Sequence, residues 1–258
     1  MTPEFVDTHC HFDFAPFCGS EAESLRLTEE AGVRSLIAVG VSADRFAGVM
    51  ALAERYGPVY AALGIHPLAV ADFQEEHLTQ LEAWLRQRPG KLVAIGEIGL
   101  DLFQDDPQFD KQEAMLTAQL RLARDYDLPV ILHSRRTHDK LAMHLRRFDL
   151  PRRGVVHGFA GSEQQALAFI RAGYFIGVGG TMTYDRAAKT RNTLSRLPLS
   201  SLLLETDSPD MPVQGFQGQP NRPERILNIW QSLCAVRKES PQEIADAIRE
   251  NTRTLFHV

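Results

Sequence analysis

Short apolar runs recur along the chain at residues 5–6, 35–39, 59–63, 91–95, 129–132, 154–156, 174–178 and 201–204, each bounded by turn residues. They are nearly continuous in hydrophobicity and do not alternate with polar residues, as expected of strands covered on both faces. The segments between them are long enough to be crossover helices. Asp106-Pro107 predicts one helix start, with a capping carboxylate before a proline at the first helical position and Phe109, Leu116, Leu120 and Ala123 following at helical spacing. Ser162 and Gln165 form a capping-box pattern, and Ser240-Pro241-Gln242-Glu243 opens a last helix carrying Ile244, Ala247 and Ile248. Residues 208–223, with their prolines and glycines, read as one long loop. No linker, repeat or low-complexity tract interrupts the alternation. Eight βα units predict an α/β fold of the TIM-like (β/α)8 barrel type, as one domain over 1–258, in preference to an open doubly wound sheet.

Composition agrees and excludes several classes. A chain of 258 residues with 44% hydrophobic and 24% charged residues can bury a sizeable core without disulfides, so disordered, collagenous and disulfide-scaffold classes drop out. Lys and Arg number 28 against 33 Asp and Glu, a net charge of −5, so no overall positive field draws polyanions. Cys10, Cys18 and Cys234 are odd in number and lack C-x-x-C spacing, which fits a reducing, cytoplasmic setting; Cys18 and Cys234 read as buried thiols. The first residues lack the basic start and apolar run of a signal peptide, and no stretch has the ~18 apolar residues of a membrane helix. Trp84 and Trp230 read as helix anchors against the barrel. Nothing in the pattern signals a membrane or an obligate protein partner.

In a barrel, chemistry collects at the C-terminal ends of the strands. Six of the predicted strands end in titratable side chains, in Asp7-Thr8-His9-Cys10-His11, Ile65-His66-Pro67, Glu97-Ile98-Gly99-Leu100-Asp101, His133-Ser134-Arg135, His157-Gly158 and Glu205-Thr206-Asp207. On an extended backbone His9 and His11 share a face while Cys10 points away, which makes H-x-H a two-pronged metal clamp. With Glu97, His133, His157 and Asp207, six ligand-type side chains converge on one rim, where buried charges must pair or bind a metal. That is more than one tetrahedral ion requires. The imidazole and carboxylate mix suits two divalent ions, drawn from zinc, manganese, magnesium, nickel or cobalt, with Glu97 as the natural bridge. Two ions ~3.5–4 Å apart activate a shared water, so the expected reaction is hydrolysis.

Other residues leave alternatives open. Glu205 and Asp207, two apart at a strand end, should share a face, so one can hold metal while the other takes a proton, without the sequence dividing the roles. His66 reads as a functional residue or as a core histidine, Arg135 as a phosphate contact or as an exposed arginine at a helix start, and Asn221-Arg222 stands between the same two readings. Gly177-Val178-Gly179-Gly180 lacks G-x-G-x-x-G spacing and reads as barrel packing. Ser134 and Ser208 lie in no nucleophile elbow, so a serine triad is set aside.

In order, D-T-H-C-H-F-D, G-I-H-P, G-E-I-G-L-D, H-S-R, H-G-F and E-T-D-S-P-D resemble the motifs of the TatD family of metal-dependent deoxyribonucleases, a branch of the amidohydrolase-like barrels. Over 96–153 and 202–222 the chain looks most like the YjjV-type members. The resemblance covers essentially the whole chain. It implies one metal held by His9, His11, Glu97 and Asp207, a second held by Glu97, His133 and His157, a phosphate contact at His66 and an acid/base role for Glu205.

Together these readings predict cleavage of phosphodiester bonds in DNA, from an end, by a water that two metals activate. Metal-dependent hydrolysis of an amide or ester, including an aminoacyl bond on tRNA, is the enzymatic rival, and a non-catalytic metal-binding scaffold is the other. Two divalent ions would offset most of the net negative charge, which removes its weight against a polyanionic substrate. Between residues 135 and 153, Arg135, Arg136, Lys140, Arg146, Arg147, Arg152 and Arg153 stand against Asp139 and Asp149. This run begins beside His133 and reads either as a solvated helix face or as a guide for a polyanion.

Overall fold

The apolar runs form parallel strands, and the segments between them fold back as helices. A computed structural model describes residues 3–258. In chain order the elements are β1 (Phe5–Cys10), α1 (Glu21–Glu30), β2 (Val33–Val39), α2 (Phe46–Arg55), β3 (Val59–Leu63), α3 (Glu75–Gln87), β4 (Leu92–Asp101) and α4 (Phe109–Asp125). They continue with β5 (Val130–Arg135), α5 (His138–Arg147), β6 (Gly154–Val156), α6 (Glu163–Arg171), β7 (Phe175–Val178), α7 (Ala188–Arg196), β8 (Leu202–Leu204), α8 (Ile226–Cys234) and α9 (Pro241–Phe256). The sheet order is β1 through β8, all ladders parallel, as the βα alternation predicts for a (β/α)8 barrel.

Period-two alternation sorts the strand residues into two layers. Ile37, Val39, Ala62, Ala94, Ile131, Val155 and Leu203 fill the barrel, and Leu255 and Phe256 at the end of α9 pack onto the same cluster. Their neighbours, among them Leu36, Ala38, Leu63, Ile95, Leu132 and Val156, face the helices in the outer core. Trp84 and Trp230 pack against that outer core, the indole of Trp230 lying 5.4 Å from the Phe5 ring.

Several boundaries differ from the sequence reading. β1, β4 and β5 run past their apolar stretches through the polar motifs, because ladder pairing continues there: Gly99 pairs His133 and Asp101 pairs Arg135. Helix α4 begins at Phe109, behind Gln108, and not at Asp106-Pro107. The buried Gln112 amide explains the shift, since it ties the Asp101 backbone and the Pro107 carbonyl and so folds the segment before the helix into a separate turn. Cys18 is exposed and Cys234 only partly buried, contrary to expectation; Phe17 takes the buried place in the turn that carries Cys18. The capping boxes at Ser162 and Ser240 are formed.

The basic run is divided by the fold. Arg135, Arg136 and Lys140 sit at the rim, but α5 then runs back along the barrel, carrying Arg146 and Arg147 about 10 residues, or roughly 15 Å, away. Arg152 and Arg153 precede β6 at the opposite end, where Arg152 donates to the Leu255 carbonyl.

Gly99 sits in the tightest backbone approach of the β4–β5 ladder: a Cβ there would lie 1.9 Å from the His133 carbonyl oxygen, at a φ of +152°. Gly99→Ala is expected to cost at least about 2 kcal/mol in urea denaturation, because backbone, not a movable side chain, must yield. Gly48→Ala, exposed within α2 and with nothing within 4 Å of the added carbon, should instead gain about 0.5–1 kcal/mol. Equal effects at the two positions would contradict this account.

Candidate metal centre

Alternation along β4 points Glu97, Gly99 and Asp101 to one face, with Gly99 in close backbone approach to His133. Glu97 is 2% exposed. Its Oε2 faces His9 Nε2 at 3.2 Å and His11 Nε2 at 3.5 Å. Its Oε1 faces His66 Nε2 at 3.0 Å, His133 Nδ1 at 3.0 Å and His157 Nε2 at 2.7 Å. Burial alone would raise this carboxyl, but the imidazoles of His157, His66 and His9 outweigh it and hold Glu97 well below the usual range.

The spacing of donor atoms tests whether a cation fits. His9 Nε2 and His11 Nε2 are 3.3 Å apart, and Asp207 Oδ1 lies 3.3 and 3.2 Å from them. With Glu97 Oε2, five edges of a four-cornered figure thus measure 3.2–3.5 Å. A tetrahedral ion with bonds of about 2.0–2.1 Å needs edges of roughly 3.3–3.4 Å, so this donor set matches a metal site. Glu97 Oε1, His133 Nδ1 and His157 Nε2 make a second, three-cornered set, with the two imidazole nitrogens 3.4 Å apart. Three protein donors leave a position open, the pattern of a catalytic site.

Hydrogen bonds behind the donors fix which nitrogen faces inward. Asp101, 1% exposed, accepts from His133 Nε2 at 2.8 Å while its Oδ1 accepts from the Phe103 amide, so His133 turns Nδ1 toward Glu97, the nitrogen it would offer a cation once deprotonated there. His66 is arranged the other way. Its Nδ1 accepts the Leu68 amide at 3.0 Å, which leaves the ring hydrogen on Nε2, and burial pushes its pKa down, keeping the ring neutral. His66 therefore offers an N–H to the site and no lone pair. Glu205 is fully buried: its Oε1 accepts the Gly158 amide at 2.5 Å and lies 3.4 Å from His157 Nδ1. Gly177 makes that position possible, because a Cβ there would stand 2.3 Å from Glu205 Oε2.

Asp7 and Asp101 carry weight that their mere presence in the motifs did not disclose. Asp7 accepts the Thr206 hydroxyl at 2.5 Å, the Thr206 amide at 2.9 Å and the His9 amide at 3.3 Å, with burial pushing its carboxyl up to about 7. The β1–β8 edge has one isolated bridge, between Cys10 and Ser208, and is completed by Asp207 N–H to His9 C=O and His11 N–H to Ser208 C=O. Asp7 thus closes the barrel where His9 and Asp207 meet. Asp207 itself has a φ of +57°, a conformation that costs a side-chain-bearing residue about 1–3 kcal/mol and that these backbone bonds hold. Period-two counting from His9 back to Asp7, and from Glu97 on to Asp101, puts both carboxylates inward and was the available signal.

A cavity of about 1010 Å³ opens over the cluster, with His11, His66, Glu97, His133, His157 and Asp207 in its walls. Arg135 borders it, its guanidinium 3.7 Å from the centre of the exposed Phe103 ring. Glu205 lies outside this cavity, in a small pocket beside Phe159 and Gly179. Asn221 is buried and donates to the Thr206 and Met211 carbonyls, while Arg222 binds Glu224 and Ser24, so both serve the loop. Ser134 bonds Thr137 and His138, and Ser208 bonds Thr206 and lies 3.1 Å from Cys10 Sγ; neither serine lines the cavity.

Fold and donor set together define a metal-dependent hydrolase built on a (β/α)8 barrel. The chain belongs to the TatD family, the family model described as TatD related DNase matching residues 6–257. It is 60% identical over 258 residues, covering all of both chains, to the uncharacterized metal-dependent hydrolase YjjV of Escherichia coli K12. The crystal structure of that protein, described as a TatD homolog, superposes with a TM-score of 0.98 over the full length of both. The 3'-5' ssDNA/RNA exonuclease TatD of Rahnella sp. is 33% identical over 236 residues, with 88% of each chain covered.

Two outcomes are expected of this geometry. Asp101→Asn keeps an acceptor for the Phe103 amide but removes the charge behind His133, and should weaken cation binding by roughly 10–100-fold in calorimetric titration; unchanged affinity would assign Asp101 to the loop alone. Burial and His157 push His9 down, but Glu97 and Asp207 outweigh them and carry it up to about 9, and His133 and His157 are also raised against burial by their carboxylate partners. His9 therefore holds a proton at neutral pH that a cation must displace, and the upward shifts of His133 and His157 act in the same direction. Affinity should climb with pH through neutrality, with net proton release when titrations are repeated in buffers of different ionisation enthalpy; a pH-independent affinity would contradict the assignment.

Proposed function

We propose that this protein hydrolyses phosphodiester bonds of DNA from a strand end, as a single barrel domain with two divalent cations as cofactors. The observation that carries the reading is the division of the Glu97 carboxylate, one oxygen toward His9 and His11 and the other toward His133 and His157. One cation is assigned to His9, His11, Glu97 and Asp207 and the other to Glu97, His133 and His157. When bound, two such ions lower the pKa of a nearby water and neutralise charge that builds on a phosphoryl oxygen; zinc, manganese, magnesium, nickel and cobalt all suit the donors.

The chain's own residues supply the rest. His66 donates its Nε2–H to Glu97 Oε1 at 3.0 Å and borders the cavity, where a phosphate oxygen can share that N–H. Asp207 reaches the cavity, which supports it as acceptor of the proton given up by the attacking water, whereas Glu205 lies behind His157 and outside that cavity. Arg135 borders the same cavity and can meet a flanking phosphate with two N–H groups. The name of the Rahnella relative supports a nucleic-acid substrate. No described helix is long and apolar enough to cross a membrane, and the free cysteines, one of them exposed, favour the cytoplasm.

The test is a panel of single-stranded DNA, aryl phosphodiester, carboxyl ester and aminoacyl-tRNA substrates, each run with defined metals. Phosphodiester cleavage should dominate, and Glu97→Gln should lower it by on the order of 10²–10³-fold or more. Preference for carboxyl substrates, or full activity in Glu97→Gln, would overturn the reading.

A further inference from the structure

The charged side chains that flank the donor cluster in the cavity wall are unevenly distributed. Strand order fixes the azimuth of each loop, so segments after β2 and β3 lie together and the segment after β5 lies two strands beyond. On the β2–β3 side the cavity wall is apolar at Val41, Ile65 and Leu68 and carries the exposed Asp44 and Asp72, with Ser42, His77 and Gln80 as its other polar members. Leu68 is 58% exposed, an apolar side chain left in the open at the mouth. The nearest arginine on that side, Arg45, is paired to Asp13 at 2.7 Å and lies over the Phe14 ring. On the β4–β5 side the wall carries Arg135, whose guanidinium and that of Arg136 lie 3.7 and 4.4 Å from the Phe103 ring; Asp105 and Asp106, exposed in the loop after Phe103, are not part of that wall, and Asp210 after β8 adds a further acid to the cavity.

A nucleic-acid strand places a negative charge at every linkage, so a strand crossing the floor would set one flanking phosphate against Asp44 and Asp72 whichever way it ran. Only a strand whose last linkage lies on the floor avoids this. We infer that the β2–β3 side is a subsite for a terminal nucleoside bearing a free hydroxyl, with Asp44 and Asp72 as the residues that reject a terminal phosphate, while the remaining strand leaves over Arg135, Arg136 and Phe103. The inference rests on the phosphodiesterase reading above and deepens it, giving end-directed cleavage a cause in the rim. The cavity, at about 1010 Å³, has room for a nucleoside, since pockets of roughly 300–1,000 Å³ take ligands of that size. Val41, Ile65 and Leu68 offer its base an apolar wall.

The experiment uses the metal-loaded, full-length protein and a single-stranded DNA ten-mer in three forms, with hydroxyls at both ends, with a 3'-phosphate or with a 5'-phosphate. A phosphate on the end that is processed should lower kcat/KM at least 5-fold. Asp44→Asn/Asp72→Asn, both on the exposed surface, should bring that ratio toward one, and salt should narrow it in the unmodified protein. Arg135→Ala/Arg136→Ala should lower kcat/KM on the ten-mer and reduce its salt dependence, with little such change on a dinucleotide, which has no second phosphate to contact. Equal rates on all three ten-mers, or a ratio unmoved in Asp44→Asn/Asp72→Asn, would overturn the subsite while leaving the phosphodiesterase reading intact. Failure to cleave any ten-mer, with carboxyl esters cleaved, would overturn both.

Discussion

Glu97 is a carboxylate buried among five imidazoles, and most of the rim is arranged around its charge. A charge taken out of water at that depth must be compensated, and histidines from four other strand ends converge to do so. The compensation is divided, each oxygen facing its own set of nitrogens. That division gives the cluster two sets of donor atoms. The same carboxylate belongs to both, so neither set is electrostatically independent of the other.

The second constraint is mechanical. Seven ladders join the eight strands, but β1 and β8 meet through the motif residues themselves, with Asp7 bridging to Thr206 and the backbones of His9 and His11 bonding Asp207 and Ser208. Closing the barrel and aligning two of the proposed ligands are one event. A buried polar network of this kind is useful only when fully satisfied, which ties the geometry of His9 and Asp207 to the integrity of the fold. Behind the other proposed cation, Asp101 accepts from His133 and Glu205 lies 3.4 Å from His157 Nδ1, whereas the Leu68 amide gives His66 the opposite tautomer. Chemically similar imidazoles are thus sorted into lone-pair donors and an N–H donor by what stands behind them.

Around this centre the loops differ in charge, the cavity wall carrying Asp44 and Asp72 after β2 and β3 and Arg135 after β5. Of the basic run from 135 to 153, only its first part belongs to the rim, because the helix that follows β5 carries the rest to the far end of the barrel.

Much of this was legible in the chain before any folding was considered. Continuous apolar runs, separated by segments of helical spacing, specify buried parallel strands with crossovers, and H-x-H on an extended backbone puts both imidazoles on one side, because the side-chain period of a strand is two. The six ligand-type residues are local to strand ends and were readable for that reason. Tertiary structure decided what depends on residues far apart in sequence: that Asp7 meets Thr206, that Asp101 turns His133, that Glu205 lies behind His157 and outside the main cavity, and that Asn221 and Arg222 serve the loop. It also decided where α4 starts, since the buried Gln112 amide overrode the Asp106-Pro107 signal. Local pattern determines which way a side chain points along its own element, whereas its partner across the barrel is set by the register between strands, and only the closed sheet defines that register.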